Sequence, residues 1–529
     1  MITVLVSCAS KNKTNNQTTD LPFSIVGKTE AMPTFQNGLR LLHNFEYIDA
    51  AESFIEAQKI DPQFTMAYWG EAMTYNHPVW GDLDVDKARK ALLKLGETKE
   101  QRIAKATTAL EKDFISSIEI LYGEGTKTER EKQYSEFLSQ MYKKYNDETE
   151  VAAFYSLSLL GLKKVWTKME DYNYEAEKIA KEILTKNPSH PGALHYMIHA
   201  DDHPDFANKA LSAANSYSKV ASYAGHALHM PSHIYLALGM WNDVVSSNEV
   251  SWQASVDKKL KKNLDNDRLD YHAHLWLSYG YLQQGRYNDA LNVIRNQQKL
   301  TTESTSPKSR FALLFMKAHY LIETLDWQSE LSNLEVESKD LALASRTANN
   351  YVNGSKAFYL KRPEALEAII KEVETDVSKT KQFKLENEKI TVCGVTPFIN
   401  KIPTQDELYC AENLLGQLQA MSAWLKNDNI NAENIFQKII KNSKGYLTGP
   451  PSDIKPVHEL FGEFYLATNR PDKAYEQFES SLKNTPNRLL SLKGKLKAAK
   501  EMGNKEEIEE IQNGIDNQLK STDTKIAKL

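Results

Sequence analysis

Apolar positions along this chain fall three and four residues apart in stretch after stretch, divided by short polar turns, which is the spacing of amphipathic helices in close succession. Residues 149–162, 174–184 and 205–217 read this way on their own. A longer period lies over the helical one. Counted in a 34-residue frame from Ala31, Gly38 takes position 8, Ala50 position 20, Phe54 position 24, Ala57 position 27 and Pro62 position 32. Small residues at 8 and 20 let two antiparallel helices approach closely, the aromatic at 24 fills the wedge between them, and the proline ends the second helix. The same frame fits Gly462, Ala474, Phe478 and Pro486, then Ser278, Gly285, Tyr287 and Ala290, and more loosely Ala420, Ala432 and Phe436.

These are the positions of the tetratricopeptide repeat (TPR), and one such helix pair cannot bury its apolar face alone. The expected fold is therefore all-α: a TPR-type α-solenoid, a right-handed superhelix of helix pairs with a concave inner groove. Residues 30–520 are expected to form this single domain, with a long insertion at about 384–406, lengthened turns at 81–86 and 165–173, and a polar loop at 301–307. The mixed-sign run DKKLKKNLDNDR at 257–268 reads as a solvated helix face. Tyr68, Trp69, Trp241 and Trp276 sit at or near repeat-packing positions and read as core. Residues 521–529 are expected to fray.

Composition agrees with a helical chain. Gly (22) and Pro (17) are scarce among 529 residues, while hydrophobic residues reach 41% and aromatics 10%, which excludes a loop-rich or disordered protein. Acidic residues outnumber basic ones by 70 to 65, so the net charge of −5 gives no electrostatic reason to expect nucleic acid. The body holds no apolar run of about 18 residues, and no membrane span is expected within it.

The first eight residues suggest an address. Leu5-Val6-Ser7-Cys8 matches a lipobox, so residues 1–8 read as a lipoprotein signal remnant, with Cys8 receiving the lipid and residues 9–29 forming a flexible tether. The apolar stretch before Cys8 is shorter than the usual signal core of about 7 to 15 residues and has no basic flank, so the true start is expected upstream; the alternative is an ordinary N-terminus with a chance cysteine. Ala9 and Ser10 after the cysteine point to the periplasmic side of a membrane in a Gram-negative cell. In that oxidising compartment Cys393 and Cys410 form an even pair and are expected either to bridge the loop between them or to remain two buried thiols.

The candidate chemistry lies in the histidines. Of thirteen, seven stand between residues 190 and 233. With Ala210 at position 20, His195, His199 and His203 fall at positions 5, 9 and 13 of one first helix, and His226, His229 and His233 at 2, 5 and 9 of the next. His195 to His229 and His199 to His233 are both 34-residue intervals, so neighbouring helices present matched His-x-x-x-His pairs to the groove, each pair one helical turn apart. Metal ligation is expected of His195, His199, His229 and His233, with Zn, Cu or Ni suited to imidazole nitrogen. Asp202, His203, His226 and His272 are expected as further ligand-binding residues. Pro231 interrupts HALHMPSH and leaves the direction of His226 and His229 open. His43, His77 and His272 also take groove positions, for which packing is the simpler reading; His190, His274, His319 and His458 are assigned no role.

On these motifs the chain resembles a group of long bacterial TPR proteins that carry HPGALHYxIH and GHALHMPSHIY, here residues 190–199 and 225–235, with further likeness at FQNGLRLLHNFEY, AYWGEAMTYNHPVW and PVHELFGEFYL. The resemblance covers about residues 30 to 500 and implies the fold and a shared site without implying a reaction.

Three functions compete. The first is a lipid-tethered protein binding a metal ion or small ligand in the histidine-lined groove. The second is a scaffold for a protein or peptide partner in the same groove, where Asn76 is available to clamp a carboxylate; glycan capture is a third. A zinc hydrolase of the His-Glu-x-x-His kind is disfavoured because Tyr196 and Met230 stand where the glutamate is needed. No phosphate-cradling loop or nucleophile elbow is found.

Overall fold

The computed structural model describes residues 21–162, 171–304, 306–387, 403–442 and 454–520. It is a TPR-type α-solenoid in which antiparallel helices pack chiefly on their neighbours in the chain. Among the described residues the sole strand pairing is a short antiparallel ladder of Asn76–His77 on Asp82–Leu83, which builds the lengthened turn at 81–86. No helix there is long and apolar enough to cross a membrane.

The repeat frame explains the packing. Phe54 is fully buried between Gly38 of its own repeat and Gly70 of the next, where an added Cβ would come within 2.9 and 2.4 Å of the ring. Phe478 sits in the same way between Gly462 and Gly494, at 2.8 and 2.3 Å. Ala50, Ala432 and Ala474 are fully buried, as small residues at the helix crossings must be.

Residues 21–29, expected as part of a flexible tether, instead pack on the body. Leu21 is fully buried, the Phe23 ring meets Phe114 edge-on at 5.2 Å, and the Lys28 amide donates to Asp61 Oδ2 at 2.9 Å. Alternating Leu21, Phe23 and Ile25 carry apolar surface worth burying, and that draws this segment onto the first helices. Cys8 and residues 9–20 lie outside the described residues, as do Cys393 and residues 521–529. Cys410 is buried on the helix Gln405–Leu425. The expected insertion at 384–406 is narrower in its described parts, because the helix Pro363–Asn387 runs into it and Gln405–Leu425 begins inside it.

Distant repeats meet across the superhelix. The helix Met32–His43 packs on Pro191–Ala200, and the helix Trp241–Lys262 reaches back to the first repeat. There Lys258 Nζ lies 2.7 Å from Glu46 and 2.6 Å from Asp49, and Lys262 Nζ 2.8 Å from Asp49 and 2.9 Å from Glu52. The run at 257–268 is thus not simply a solvated face: two of its lysines clasp the first turn of the superhelix. At the far end the buried Arg488 bonds Tyr279 Oη at 2.7 Å and pairs with Glu459 and Glu323 at 2.7 and 2.6 Å. The packing of Met32–His43 on Pro191–Ala200 and the lysine clasp set the histidine-bearing helices against the N-terminal repeat.

Candidate metal centre

Local sequence sets the histidine-bearing helices. His190 caps Pro191–Ala200, its Nδ1 accepting from the Ala193 amide at 3.1 Å, and Pro191 takes the first turn, where no amide donor is missed. His195 and His199 then share one face, with Nε2 atoms 3.1 Å apart. Pro231 divides the next segment into Gly225–His229 and Pro231–Ala237, but Met230 between them keeps helical angles (φ −53°, ψ −37°). His229 and His233 therefore still stand one turn apart, with Nε2 atoms at 3.2 Å. His272 is the second residue of Tyr271–Gln283, a helix capped by Asp270, which accepts from the Ala273 amide at 3.0 Å.

The structure sorts these six residues into two trios: His195, His199 and His226 in one, His229, His233 and His272 in the other. Within each, one ligand atom per residue lies within 4.8 Å of the others. Each expected pair is thus completed by a histidine from a later helix, His226 of Gly225–His229 or His272 of Tyr271–Gln283. The trios touch, with ring centroids of His199 and His233 at 6.0 Å and of His226 and His229 at 6.2 Å. His203 belongs to neither: it lies past the helix end, its Nδ1 accepts from the Asp205 amide at 3.1 Å, and its ring packs on Phe206. Asp202 acts through a histidine, accepting from His233 Nδ1–H at 2.7 Å.

Hydrogen bonding fixes the tautomers. His195 Nδ1–H donates to the backbone oxygen of His43 at 2.8 Å, a carbonyl left without an intrahelical partner at the end of its helix. His229 Nδ1–H donates to Asn248 Oδ1 at 2.6 Å, and Asn248 is oriented by its own Nδ2 bond to the Val244 carbonyl at 2.7 Å. In His195, His229 and His233 the proton is therefore held on Nδ1, and the Nε2 lone pair points inward; outer hydrogen bonds to carbonyl, amide and carboxylate are those that orient metal-ligating imidazoles. Burial, only partly offset by the His43 carbonyl, depresses the His195 imidazole to about 3, and burial with the neighbouring His272 and His233 lowers His229 well below its ordinary value. The His226 Nε2 atom is buried without a hydrogen-bond partner.

A third cluster, His43, Glu150 and His190, is of a different kind. His43 Nε2–H and His190 Nε2–H donate to the two Glu150 oxygens at 2.7 and 3.1 Å, while their Nδ1 lone pairs accept from Tyr196 Oη–H at 2.7 Å and the Ala193 amide. Every ring nitrogen is spent, which makes this a closed, fully buried structural network. Its place explains Gly192, where a Cβ would come within 2.4 Å of His43 Nδ1.

Each trio has an aromatic cover that the frame does not reveal. Phe45 lies 4.2 Å from His195 and 5.8 Å from both His199 and His226 between ring centroids. It occupies the left-handed region (φ 57°) just past the helix Met32–His43, a costly conformation for a side chain of this size. Trp276, expected as core and indeed buried, also lies 4.9, 4.5 and 5.4 Å from His229, His233 and His272. His77 stacks on Tyr47 at 3.9 Å, and Trp80 meets His226 edge-on at 5.5 Å. Asn76 is buried in the short ladder. A spacing rule finds His272; none finds Phe45, Glu150 or Asn248.

Fold and site together define a TPR-type α-solenoid with a six-histidine cluster where its repeats converge. No family model matches the chain, and no curated protein matches it in sequence. Solved structures similar to it include the Cut9–Hcn1 hetero-tetramer of APC/C, at 13% identity over 90% of this chain and 78% of that one, with a TM-score of 0.35. The human IFIT1 dimer with m7Gppp-AAAA is 12% identical over 95% of this chain and 96% of its own, with a TM-score of 0.35. Yeast Tom70 is 12% identical over 90% and 96%, with a TM-score of 0.27.

Proposed function

We propose that this protein binds transition-metal ions through its paired histidine trios, as a lipid-tethered member of the bacterial TPR group that its histidine motifs resemble. The observation that carries the reading is the fixed tautomer of His195, His229 and His233, which turns Nε2 lone pairs into a partly buried cluster without a carboxylate or thiolate in either trio. Imidazole-only donors suit Cu, Zn or Ni. Protein purified without a histidine tag should carry metal or take it up, with thermal stabilisation on addition of Cu or Zn; absence of both sinks the reading.

The tether is part of the same proposal: Cys8 carries the lipid, holding the body on the periplasmic side of the membrane, where Cys393 and Cys410 pair. Cys8→Ser should release the protein from the membrane fraction, and unchanged fractionation discards the anchor. A second reading, a protein or peptide partner in the groove, is favoured by Trp80, which is 44% exposed beside His226. A partner whose binding survives His195→Ala and His199→Ala would favour this reading.

A further inference from the structure

The two trios are copies of one design. Each joins two histidines one turn apart to a third from a later helix, and in each one aromatic ring, Phe45 or Trp276, lies against all three members. Ring separations between trios, 6.0 and 6.2 Å, are no greater than the 6.2 Å between His233 and His272 within one. Two ions held by these trios would therefore be immediate neighbours. Three protein ligands leave each ion with a coordination position to fill, as in metal sites that act on small molecules. His272 is exposed, and His199, His226 and His233 are partly so, which gives a small solute access.

Charge then narrows the metal. All six donors are neutral imidazoles, and Asp202 is the acceptor of one of them, not a member of either trio. Two divalent ions side by side in such a setting repel four times as strongly as two monovalent ones, because the energy follows the product of the charges. Copper suits imidazole, has the highest divalent affinity of the series, and also exists as a monovalent ion.

We propose, as a deepening of the metal-binding reading and resting on it, that the trios hold a copper pair that binds dioxygen between its members. Each copper(I) gives one electron to dioxygen; two copper(II) ions and one bridging peroxide result, with no proton taken up and no other reductant required. The total charge of the pair and its ligand is the same before and after, since the peroxide carries the two negative charges that the coppers have gained as positive ones. A neutral donor set thus serves both states.

The test uses the full, untagged chain, freed of metal and loaded anaerobically with copper(I). Two coppers per chain should bind, one dioxygen should be taken up per copper pair, and the aerated protein should show less than about a tenth of its copper by electron paramagnetic resonance, because adjacent bridged copper(II) spins cancel. His199→Ala and His272→Ala, one in each trio, should each keep one copper per chain, fully visible when loaded as copper(II). Circular dichroism confirms that they fold, and His272, exposed at a helix start, is the safer of the two. One copper per chain in the wild type, two that are both fully visible after aeration, or no dioxygen uptake would overturn the copper pair while leaving metal binding intact. Failure to bind copper, zinc or nickel at all would overturn the metal reading itself.

Discussion

His229 and His233 face each other through Nε2 atoms 3.2 Å apart, while each commits its Nδ1–H elsewhere, to Asn248 and to Asp202. Two lone pairs at that distance repel unless a cation lies between or beside them, and a metal ion shared by the two rings would supply it. The Asp202 carboxylate is the acceptor that aims the His233 ring.

Asp202→Asn is therefore expected to weaken metal binding without unfolding the protein. The amide oxygen can still accept from His233, but the negative charge that raises ligand basicity is lost, an effect typically worth about 10- to 100-fold in affinity. Competition titration of copper or zinc against a chelator of known strength measures it. Equal affinity in mutant and wild type would show that Asp202 has no part in ligation.

How much of this was legible in the sequence depends on the range of the contact. The equal 34-residue intervals from His195 to His229 and from His199 to His233 show directly which faces meet, because stacked repeats convert sequence period into spatial alignment. The sorting into trios was not legible, since it depends on how Gly225–His229 tilts around Pro231. Nor was the His43–Glu150–His190 network, whose members are 40 to 153 residues from their partners and meet only where the superhelix closes. The clasp of Lys258 on Glu46, 212 residues apart, escaped for the same reason: a charge run shows its sign but not what a remote repeat will set against it.

Gly192→Ala tests that closure. The new Cβ would meet His43 Nδ1 at 2.4 Å and displace a ring that bonds Tyr196 and Glu150 and whose backbone oxygen orients His195. A loss of about 1 to 3 kcal/mol is expected for overpacking a buried contact. Metal affinity should fall with it, although residue 192 touches neither trio. Urea unfolding and chelator competition on the same sample read the two effects, and full affinity in a destabilised mutant would show that the network does not orient His195.

Gly494→Ala examines the repeat packing alone. A Cβ there would lie 2.3 Å from the Phe478 ring, which Gly462 already confines on its other side. The expected cost is again about 1 to 3 kcal/mol, while metal binding remains unchanged because this crossing belongs to the C-terminal repeats. A stability within about 0.5 kcal/mol of wild type would mean that the terminal helices shift freely, contrary to the repeat frame.

The pH dependence of the metal-free protein follows from groups held below their ordinary values. Burial lowers His195 to about 3 and, against the hydrogen bond that His274 donates to Gln297 Oε1, His274 to about 4. Burial alone would raise Glu150, but the His43 and His190 imidazoles overcome it and hold the acid at about 2. For each group the unfolded chain binds a proton more readily than the folded one, so stabilisation is complete above the unfolded value and is lost as pH falls. The histidines should act first, between about 6.5 and their folded values, at up to about 1.4 kcal/mol per pH unit for each group. Glu150 should follow between about 4.5 and 2. Melting temperature should therefore be level from pH 8 to about 6.5 and fall continuously below, and that of metal-loaded protein should fall more steeply, because an ion on Nε2 excludes the protons that the unfolded chain takes up. A metal-free melting temperature that rises between pH 6.5 and 5 would contradict the burial of these rings in their neutral form.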